Sequence, residues 1–240
     1  MSPQARPALR SVADAKLSAV DLVTAEIRRS ILSGALPPGQ SFAVTDLTSQ
    51  LGVSHIPVRE ALQRLEAQGL VMLSPARRPT VAPLTLEDVE AIYQLRLRLE
   101  APLAGRMTEL RGTQVAGAQW AAELRRLLGL AFNPDIHPDD QWDAHYSFHK
   151  MLVEPAATAW ELRFLQQLWD AADRYTRLVF DPQGISDAER EQRAAAHHDL
   201  LRLVLSGTAT EAEAELHRHF SNNLRMICEL LHRALNPPTA

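Results

Sequence analysis

The sequence predicts a mainly α-helical protein: an N-terminal winged helix-turn-helix followed by an antiparallel α-helical bundle of six or seven helices. Within the first 83 of the 240 residues, two helical patterns precede a capped helix, a glycine and a short hairpin. From residue 85 onward, apolar residues recur at helical spacing, and glycine or proline separates the segments. Aromatic residues are 5% of the chain while Ala and Leu are abundant, which favours helix over strand.

Composition limits the class of protein. The one cysteine, Cys228, excludes an intramolecular disulfide framework and a multi-cysteine zinc site. No apolar run reaches the length that spans a bilayer, and the N-terminus lacks the apolar core of a signal peptide. We therefore expect a cytoplasmic protein without a membrane partner.

Charge is distributed unevenly along the chain. The net charge is −4. Residues 1–83 carry nine Lys/Arg and six Asp/Glu, whereas residues 84–240 carry sixteen and twenty-three. The two parts therefore differ in sign, at +3 and −7, which favours a basic nucleic-acid-facing domain fused to an acidic domain.

The predicted elements define three regions. Residues 1–16 mix Pro, Ala, Ser and Arg without periodicity and are predicted to be a disordered tail. The winged helix-turn-helix domain is predicted over residues 17–83, with helices Leu17–Ser33, Thr45–Leu51 and Ser54–Gln68 and strands Leu70–Leu73 and Thr80–Ala82. The all-helical domain is predicted over residues 84–236, with helices at roughly 85–110, 113–131, 138–155, 158–180, 187–206 and 209–235.

The third helix has the setting of a DNA-recognition helix, because a tight turn precedes it and a basic hairpin follows it. Arg59 lies one turn in from Ser54, and its guanidinium can grip guanine O6/N7 or two phosphate oxygens. The alternative is a solvated helix face on which arginines pair with Glu60 and Glu66. The order of the elements favours DNA contact, and the candidate residues are Ser54, His55, Arg59, Gln63, Arg64, Arg77 and Arg78.

Those candidates have different expected partners. Ser54 and His55 stand at the helix start, where side chain and backbone N–H can both meet a phosphate. Arg77 and Arg78 at the hairpin tip are expected either to enter the minor groove or to hold the DNA backbone.

Four of the nine histidines fall on inward helix faces. His145 and His149 are four residues apart on one helix, and the apolar spacing around His197 and His219 points both of these inward. Three helices can therefore bring four imidazoles to one point, a donor set that suits zinc, nickel, copper or iron. The alternative is that these histidines serve only the stability of the bundle.

Residues 17–83 contain a connected set of motif residues: Gly34, Leu36-Pro37-Pro38-Gly39, Gly52-Val53-Ser54, Pro57-Val58-Arg59-Glu60-Ala61-Leu62 and Arg64 to Val71. This set resembles the GntR family of bacterial transcription regulators. The resemblance covers about residues 17–83 and implies double-stranded operator DNA as a partner. Two positions depart from the family pattern: His55 stands where an arginine is usual, and Arg78 where the wing tip usually has glycine.

A second set of motif residues lies within residues 85–235: Tyr93, Arg96, Leu99-Glu100, Phe148-His149, Leu152, His197, Gly207, Ala212 and His219. This set resembles the FCD effector domain of the FadR subfamily, including the six-helix form of its VanR-like members. Such domains often bind a divalent metal through an Asp and three His, and His149, His197 and His219 fall on the histidine positions. His145 occupies the Asp position, which favours zinc or nickel over calcium or magnesium. Asp143 and His198 remain alternatives to His145 and His197.

The same resemblance implies an effector. Arg96 matches an arginine that faces the effector pocket, and a guanidinium binds carboxylates with two hydrogen bonds. An intrahelical pair with Glu100 is the alternative. Asn223, one turn beyond His219, is a candidate for a further polar contact.

The sequence therefore predicts a ligand-responsive DNA-binding transcription regulator and not an enzyme. It is expected to act as a homodimer on two half-sites, with a small organic acid as effector. The alternative function is a metal-dependent helical-bundle enzyme fused to a DNA-binding domain. A di-iron bundle needs two Glu-x-x-His motifs, and the chain has one, from Glu229 to His232.

Overall fold

The computed structural model describes residues 18–179 and 186–235, so the predicted tail of residues 1–16 lies outside the described residues. The chain divides between Ala82 and Pro83 into two compact units, here called the N-terminal and the C-terminal unit. The described residues form nine α-helices and one two-stranded antiparallel sheet. The mainly α fold class predicted from the sequence is confirmed.

The N-terminal unit contains three helices and the sheet: α1 (Ala19–Leu32), α2 (Val44–Leu51), α3 (His55–Ala67), β1 (Val71–Met72) and β2 (Thr80–Val81). Helix α1 begins with a capping box, in which Ser18 Oγ accepts from the Asp21 N–H and the Asp21 carboxylate accepts from the Ser18 N–H. Helix α2 ends at Gly52, whose φ of 65° is readily available to glycine. The turn from α2 into α3 is therefore built from local interactions.

The core of the N-terminal unit fixes which side of α3 faces outward. Apolar residues of α3 at helical spacing are fully buried, namely Val58, Ala61, Leu62 and Leu65. They belong to one apolar cluster with Val23, Ile27 and Ile31 of α1. Because this stripe occupies one side of the helix, the polar residues between these positions face solvent.

The hairpin that joins β1 to β2 turns at Ala76. The Arg77 N–H donates to the Ser74 carbonyl over 3.2 Å, and Pro75 and Ala76 are the central residues of the turn. Ala76 has a φ of 59°, and among the described residues it is the one non-glycine residue with positive φ. Proline favours the second position of a β-turn, and a type II turn then needs positive φ at the third. The left-handed residue of the wing is therefore Ala76, whereas the family pattern had suggested the position of Arg78.

The described part of the C-terminal unit contains six helices: α4 (Leu86–Glu109), α5 (Ala118–Ala131), α6 (Pro138–Val153), α7 (Ala159–Val179), α8 (Asp187–Ser206) and α9 (Ala209–Leu235). Helix α5 begins later than the predicted residue 113. Gly112 adopts a φ of 76°, and its N–H donates to the Ala116 carbonyl, which closes a small loop before the helix. A short 3₁₀ turn, Glu154–Ala156, ends the α6 segment.

Helix α4 lies at the centre of the C-terminal unit and packs against α6, α7, α8 and α9, while α5 packs against α6 and α8. Buried aromatic residues fill the space between these helices, among them Tyr93, Phe148 and Phe220. The histidine-bearing helices α6, α8 and α9 thus converge on one core. None of the helices within residues 18–179 and 186–235 combines the length and the apolar character needed to cross a membrane.

Candidate functional site

The N-terminal unit presents a polar face on α3. All five candidate residues of this region, Ser54, His55, Arg59, Gln63 and Arg64, are exposed. They lie away from the buried stripe of Val58, Ala61, Leu62 and Leu65. The core thus leaves a face of donors and positive charge at the position where a recognition helix would meet DNA.

The first turn of α3 suits an anion. Ser54 is the N-cap residue with an extended backbone (φ −73°, ψ 169°), and its side chain makes no capping hydrogen bond. The first turn contains no acidic residue, whereas α1, α2, α4 and α6 each carry at least one there. The partial positive charge of the helix end and its unpaired N–H groups are therefore available to a phosphate oxygen.

The two arginines of α3 are in different states. Arg64 Nη1 donates to Asp21 Oδ1 over 2.6 Å, which ties α3 to the start of α1. Hydrogen bonds from Ser18 and Arg64 lower the pKa of Asp21 to about 2, so this carboxylate is ionised. Arg59 forms no ion pair with any residue that the structure describes. The predicted alternative of pairing with Glu60 or Glu66 is therefore not the arrangement seen.

The tip of the hairpin carries the other two basic candidates. Arg77 and Arg78 are both exposed, directly after the turn at Ala76. Glu66 of α3 accepts the Leu73 N–H over 3.1 Å and so joins α3 to the residue that follows β1. The hairpin arginines are therefore carried on a segment that is attached to α3.

The histidines meet in the core of the C-terminal unit. His145 Nε2 and His149 Nε2, both on α6, lie 3.0 Å and 3.2 Å from His197 Nε2 on α8. Candidate ligand atoms of these three residues lie within 4.8 Å of one another. The ring of His219 on α9 is centred 4.5 Å from that of His197. We call these four residues the histidine cluster; all four are buried.

One hydrogen bond fixes the orientation of His197. Its Nδ1 lies 2.7 Å from the backbone carbonyl of Arg193. A carbonyl oxygen only accepts, so Nδ1 must carry the proton and Nε2 of the neutral ring presents its lone pair. This is the support that metal-bound histidines usually have. His149 Nδ1 has no hydrogen-bond partner within the described structure, so this ring retains an unused polar atom.

An aromatic shell surrounds the histidine cluster. The Phe132 and Phe148 rings are centred 5.0 Å and 5.9 Å from His197, and Trp142 lies 6.0 Å from His145. Burial lowers the pKa of each of the four histidines below its ordinary value, to about 4 for His197 and well below 6.5 for the others. Four imidazoles are therefore neutral at pH 7, the state in which imidazole binds a metal.

Asp143 and His198, the alternatives to His145 and His197 as metal ligands, lie outside the histidine cluster. Asp143 is exposed on α6, and His198 is exposed on α8, while His145 and His197 are buried at the cluster. Asn223 Nδ2 lies 3.3 Å from His219 Nε2, so this amide contacts the fourth histidine. Asn223 is thus placed to orient the His219 ring.

Arg96 lies beside the histidine cluster in a buried ion pair. Arg96 Nε donates to Glu100 Oε1 over 2.6 Å, and both side chains are almost fully buried. Burial alone would lower the pKa of Arg96, but the adjacent Glu100 carboxylate raises it, so the guanidinium stays charged. Its Cζ lies 4.2 Å from the centre of the Phe220 ring. The predicted ion pair with Glu100 is therefore present, and the same guanidinium is the group predicted to contact the effector.

A small cavity of about 30 Å³ joins Arg96 to the histidine cluster. Helices α4, α6, α7 and α9 line it with polar groups, among them Arg96, His145, His149, Asp173, Thr176 and Asn223. This volume exceeds the minimum that a water molecule requires, and the walls supply several hydrogen-bonding partners. The cavity therefore has room for a water-sized group between polar walls.

Three features of these sites were missed at the sequence level. Phe132 belongs to the aromatic shell, and Asp173 and Thr176 line the cavity. They lie on α7 and at the end of α5, and no spacing within the sequence connects them to the histidines. Ile56 is 69% exposed on the polar face of α3. The sequence does display this residue, because an isoleucine stands between His55 and Pro57 at the start of α3.

The buried histidines make the stability of chelator-treated protein depend on pH. Unfolded histidine takes up a proton below about pH 6.5, whereas folded His197 stays neutral to about pH 4, so stability is lost as pH falls between these values. His197 alone should cost about 1 kcal/mol between pH 7.5 and pH 5.5. Urea unfolding at pH 7.5 and pH 5.5 measures this difference in the free energy of unfolding. A free energy of unfolding that does not fall would contradict it.

The fold is shared with solved structures. Escherichia coli McbR/YncC superposes with a TM-score of 0.73 at 22% identity, covering 90% of this chain and 100% of that chain. A GntR transcriptional regulator from Rhodococcus superposes with a TM-score of 0.69 at 20% identity, covering 88% and 97%. At these identities the likeness supports the shared architecture.

Sequence relatives and family patterns identify the chain. It is 33% identical over 166 residues to the HTH-type transcriptional regulator BphR of Paraburkholderia xenovorans, covering 68% of this chain and 67% of that protein. It is 25% identical to the HTH-type transcriptional repressor GlaR of Escherichia coli, covering 84% and 92%. Residues 20–81 match the gntR family of bacterial regulatory proteins, and residues 91–222 match the FCD domain. The chain therefore belongs to the GntR family, as a DNA-binding transcription regulator with an FCD domain, and not to a class of enzymes.

Proposed function

We propose that this regulator responds to a small carboxylate through a metal-containing helical bundle. Residues 17–83 bind operator DNA, and residues 84–236 bind the ligand and dimerise. The ligand shifts the bundle between states that space two recognition helices differently, and so changes the affinity for two half-sites. The observation that carries this proposal is the buried cluster of neutral histidines beside Arg96.

The DNA interface is supported by exposure and charge on α3. Arg59 is exposed and unpaired among the described residues, one turn from a helix start that lacks acidic side chains. Gln63 and Arg64 extend the same face, and Arg77 and Arg78 extend it to the hairpin. Ser54 and His55 complete the set at the N-terminus, where a phosphate would be held.

The metal site is supported by the chemistry of the donor set. His145, His149 and His197 supply three converging Nε2 atoms, and His219, whose ring is centred 4.5 Å from that of His197, is proposed as the fourth donor. The Arg193 carbonyl directs the lone pair of His197 toward this point, which supports His197 as a ligand. A set of neutral imidazoles favours zinc, with nickel as the alternative. The bound metal would supply a positive centre for an anionic ligand.

The carboxylate class follows from charge. The imidazoles are neutral, and Arg96 is balanced by Glu100. A divalent cation would therefore leave the pocket with positive charge, which a carboxylate would offset. Arg96 and Asn223 line the cavity beside the histidines and are proposed to contact this ligand.

The homodimer is supported by an exposed aromatic patch on α7. Trp160 and Phe164 are 66% and 57% exposed, and their rings lie 6.5 Å apart. Arg163 lies over the Trp160 ring at 4.6 Å. Aromatic and arginine side chains are enriched at protein interfaces, so this patch is the surface we propose for contact with a second copy.

Substitution of Arg59 tests the DNA interface. An operator duplex is first obtained by selection from random duplexes with the full-length protein. Arg59→Ala should weaken binding of that duplex by about 1–3 kcal/mol if the guanidinium reads guanine, and should reduce the salt slope by about 1 if it binds phosphate. Titration by fluorescence anisotropy at several salt concentrations measures both quantities.

Arg98→Ala is the matched control for Arg59→Ala. Arg98 is also exposed on a helix, but in the C-terminal unit, and its removal changes net charge equally. Its affinity should match that of the unchanged protein. Equal affinity and equal salt dependence for Arg59→Ala would show that the role assigned to Arg59 is wrong.

Removal of one histidine tests the metal site. Protein purified without a His tag and loaded with zinc or nickel should contain about one metal ion per chain by elemental analysis. His149→Ala should lose this metal, because it removes one of three converging nitrogens, and chelator should lower the melting temperature of the unchanged protein. His198→Ala, at an exposed neighbour of the cluster, should keep the metal. Absence of metal under every loading condition would refute the site.

Removal of the buried ion pair tests the carboxylate pocket. The double change Arg96→Met with Glu100→Leu removes both charges, because removing one partner alone would leave a buried charge at a cost of about 3–5 kcal/mol. Metal-loaded protein should melt at a higher temperature with acetate, succinate or citrate, and the double variant should lose this response. The exposed pair Glu123 and Arg126 provides the control, Glu123→Leu with Arg126→Met. A carboxylate response that survives in the Arg96 variant would contradict the proposal.

A further inference from the structure

Ile56 is an apolar side chain in an unusual place. At 69% exposure, it is the most exposed large apolar residue within the described ranges. It lies in the first turn of α3, between His55 and Pro57, where the helix presents charged and hydrogen-bonding groups to its surroundings. Nothing in the core of the N-terminal unit explains this residue, because the buried stripe of α3 lies on the other side.

Helical geometry places Ile56 on the central line of the exposed face. At about 100° per residue, Ile56 and Gln63 lie about 20° apart around the helix axis, opposite the buried stripe. Arg59 and Arg64 lie about 60° and 80° to either side of Ile56. A helix seated in the major groove directs its central line toward the base edges and its flanks toward the two phosphate backbones. Ile56 therefore faces bases, while the arginines border it.

We propose that Ile56 determines operator sequence by packing against the C5-methyl group of a thymine. This inference rests on the proposed DNA interface on α3. An isoleucine offers no hydrogen bond, so it can distinguish base pairs only through shape and apolar contact. In the major groove, the C5-methyl group of thymine is the apolar group whose presence and position distinguish the base pairs. The exposed side chain is buried when the contact forms, and a base pair without the methyl leaves part of it facing polar atoms.

The test removes the methyl group from the DNA and the side chain from the protein. In the selected operator duplex, each thymine is replaced in turn by deoxyuridine, which lacks only the C5-methyl and pairs in the same way. One thymine in each half-site should be sensitive, and its replacement should weaken binding of the unchanged protein about fourfold. Ile56→Ala should bind the thymine duplex about as weakly as the deoxyuridine duplex. For this variant, the dissociation constant of the deoxyuridine duplex divided by that of the thymine duplex should fall to about one at that position.

Leu22→Ala is the matched control, since Leu22 is an aliphatic residue exposed to 57% on α1. For Leu22→Ala, the ratio of the dissociation constants of the deoxyuridine and thymine duplexes should stay at about four. The inference is overturned if no thymine is sensitive, or if the sensitivity persists in Ile56→Ala. These outcomes differ from failure of the proposed function, in which no duplex is enriched by selection or Arg59→Ala binds the selected duplex normally.

Discussion

The hydrogen bond from His197 to the Arg193 carbonyl determines what the centre of the C-terminal unit is able to bind. The bond forms within α8, between a side chain and the backbone four residues earlier. It fixes the proton on Nδ1, so the lone pair of Nε2 points to His145 and His149. Burial lowers the pKa values of the four rings, so they are neutral at pH 7. The result is a cluster of neutral imidazole rings with no negative charge among them.

The buried charges near this point compensate one another. Burying a single arginine is costly, and Glu100 offsets much of that cost at 2.6 Å. Asp173, at the edge of the same cavity, is balanced by Arg177 at 3.2 Å. The walls therefore contribute almost no net charge, and any ion placed among the histidines would dominate the local field. A metal ion among the histidines would therefore attract a small carboxylate to the same cavity.

Sequence patterns predicted the elements well where local interactions decide them. Helix α8 begins and ends at the predicted residues because Ser186 and Glu189 form a capping box and Gly207 follows its last residue. Apolar spacing pointed His197 and His219 inward, and both are buried in the structure. The start of α5 was wrong by five residues, because the loop closed by Gly112 depends on φ, which sequence spacing does not display. The attachment of Arg64 to Asp21 spans 43 positions and depends on how α1 and α3 pack.

The contrast between the two arginines of α3 bears on how this unit discriminates among DNA sequences. Arg64 must leave Asp21 or share it when a phosphate approaches, so part of its attraction to DNA is cancelled by the loss of an existing partner. Arg59 loses no ion pair with a described residue and keeps its full attraction. Both lie beside the central line of the helix rather than on it, where contacts to the backbone are favoured. Contacts of this kind set affinity and orientation, and they are nearly independent of sequence. In the proposed interface, the choice of sequence would then depend more on Ile56 and Gln63 of the central line, which carry no charge and act by shape and hydrogen bonding.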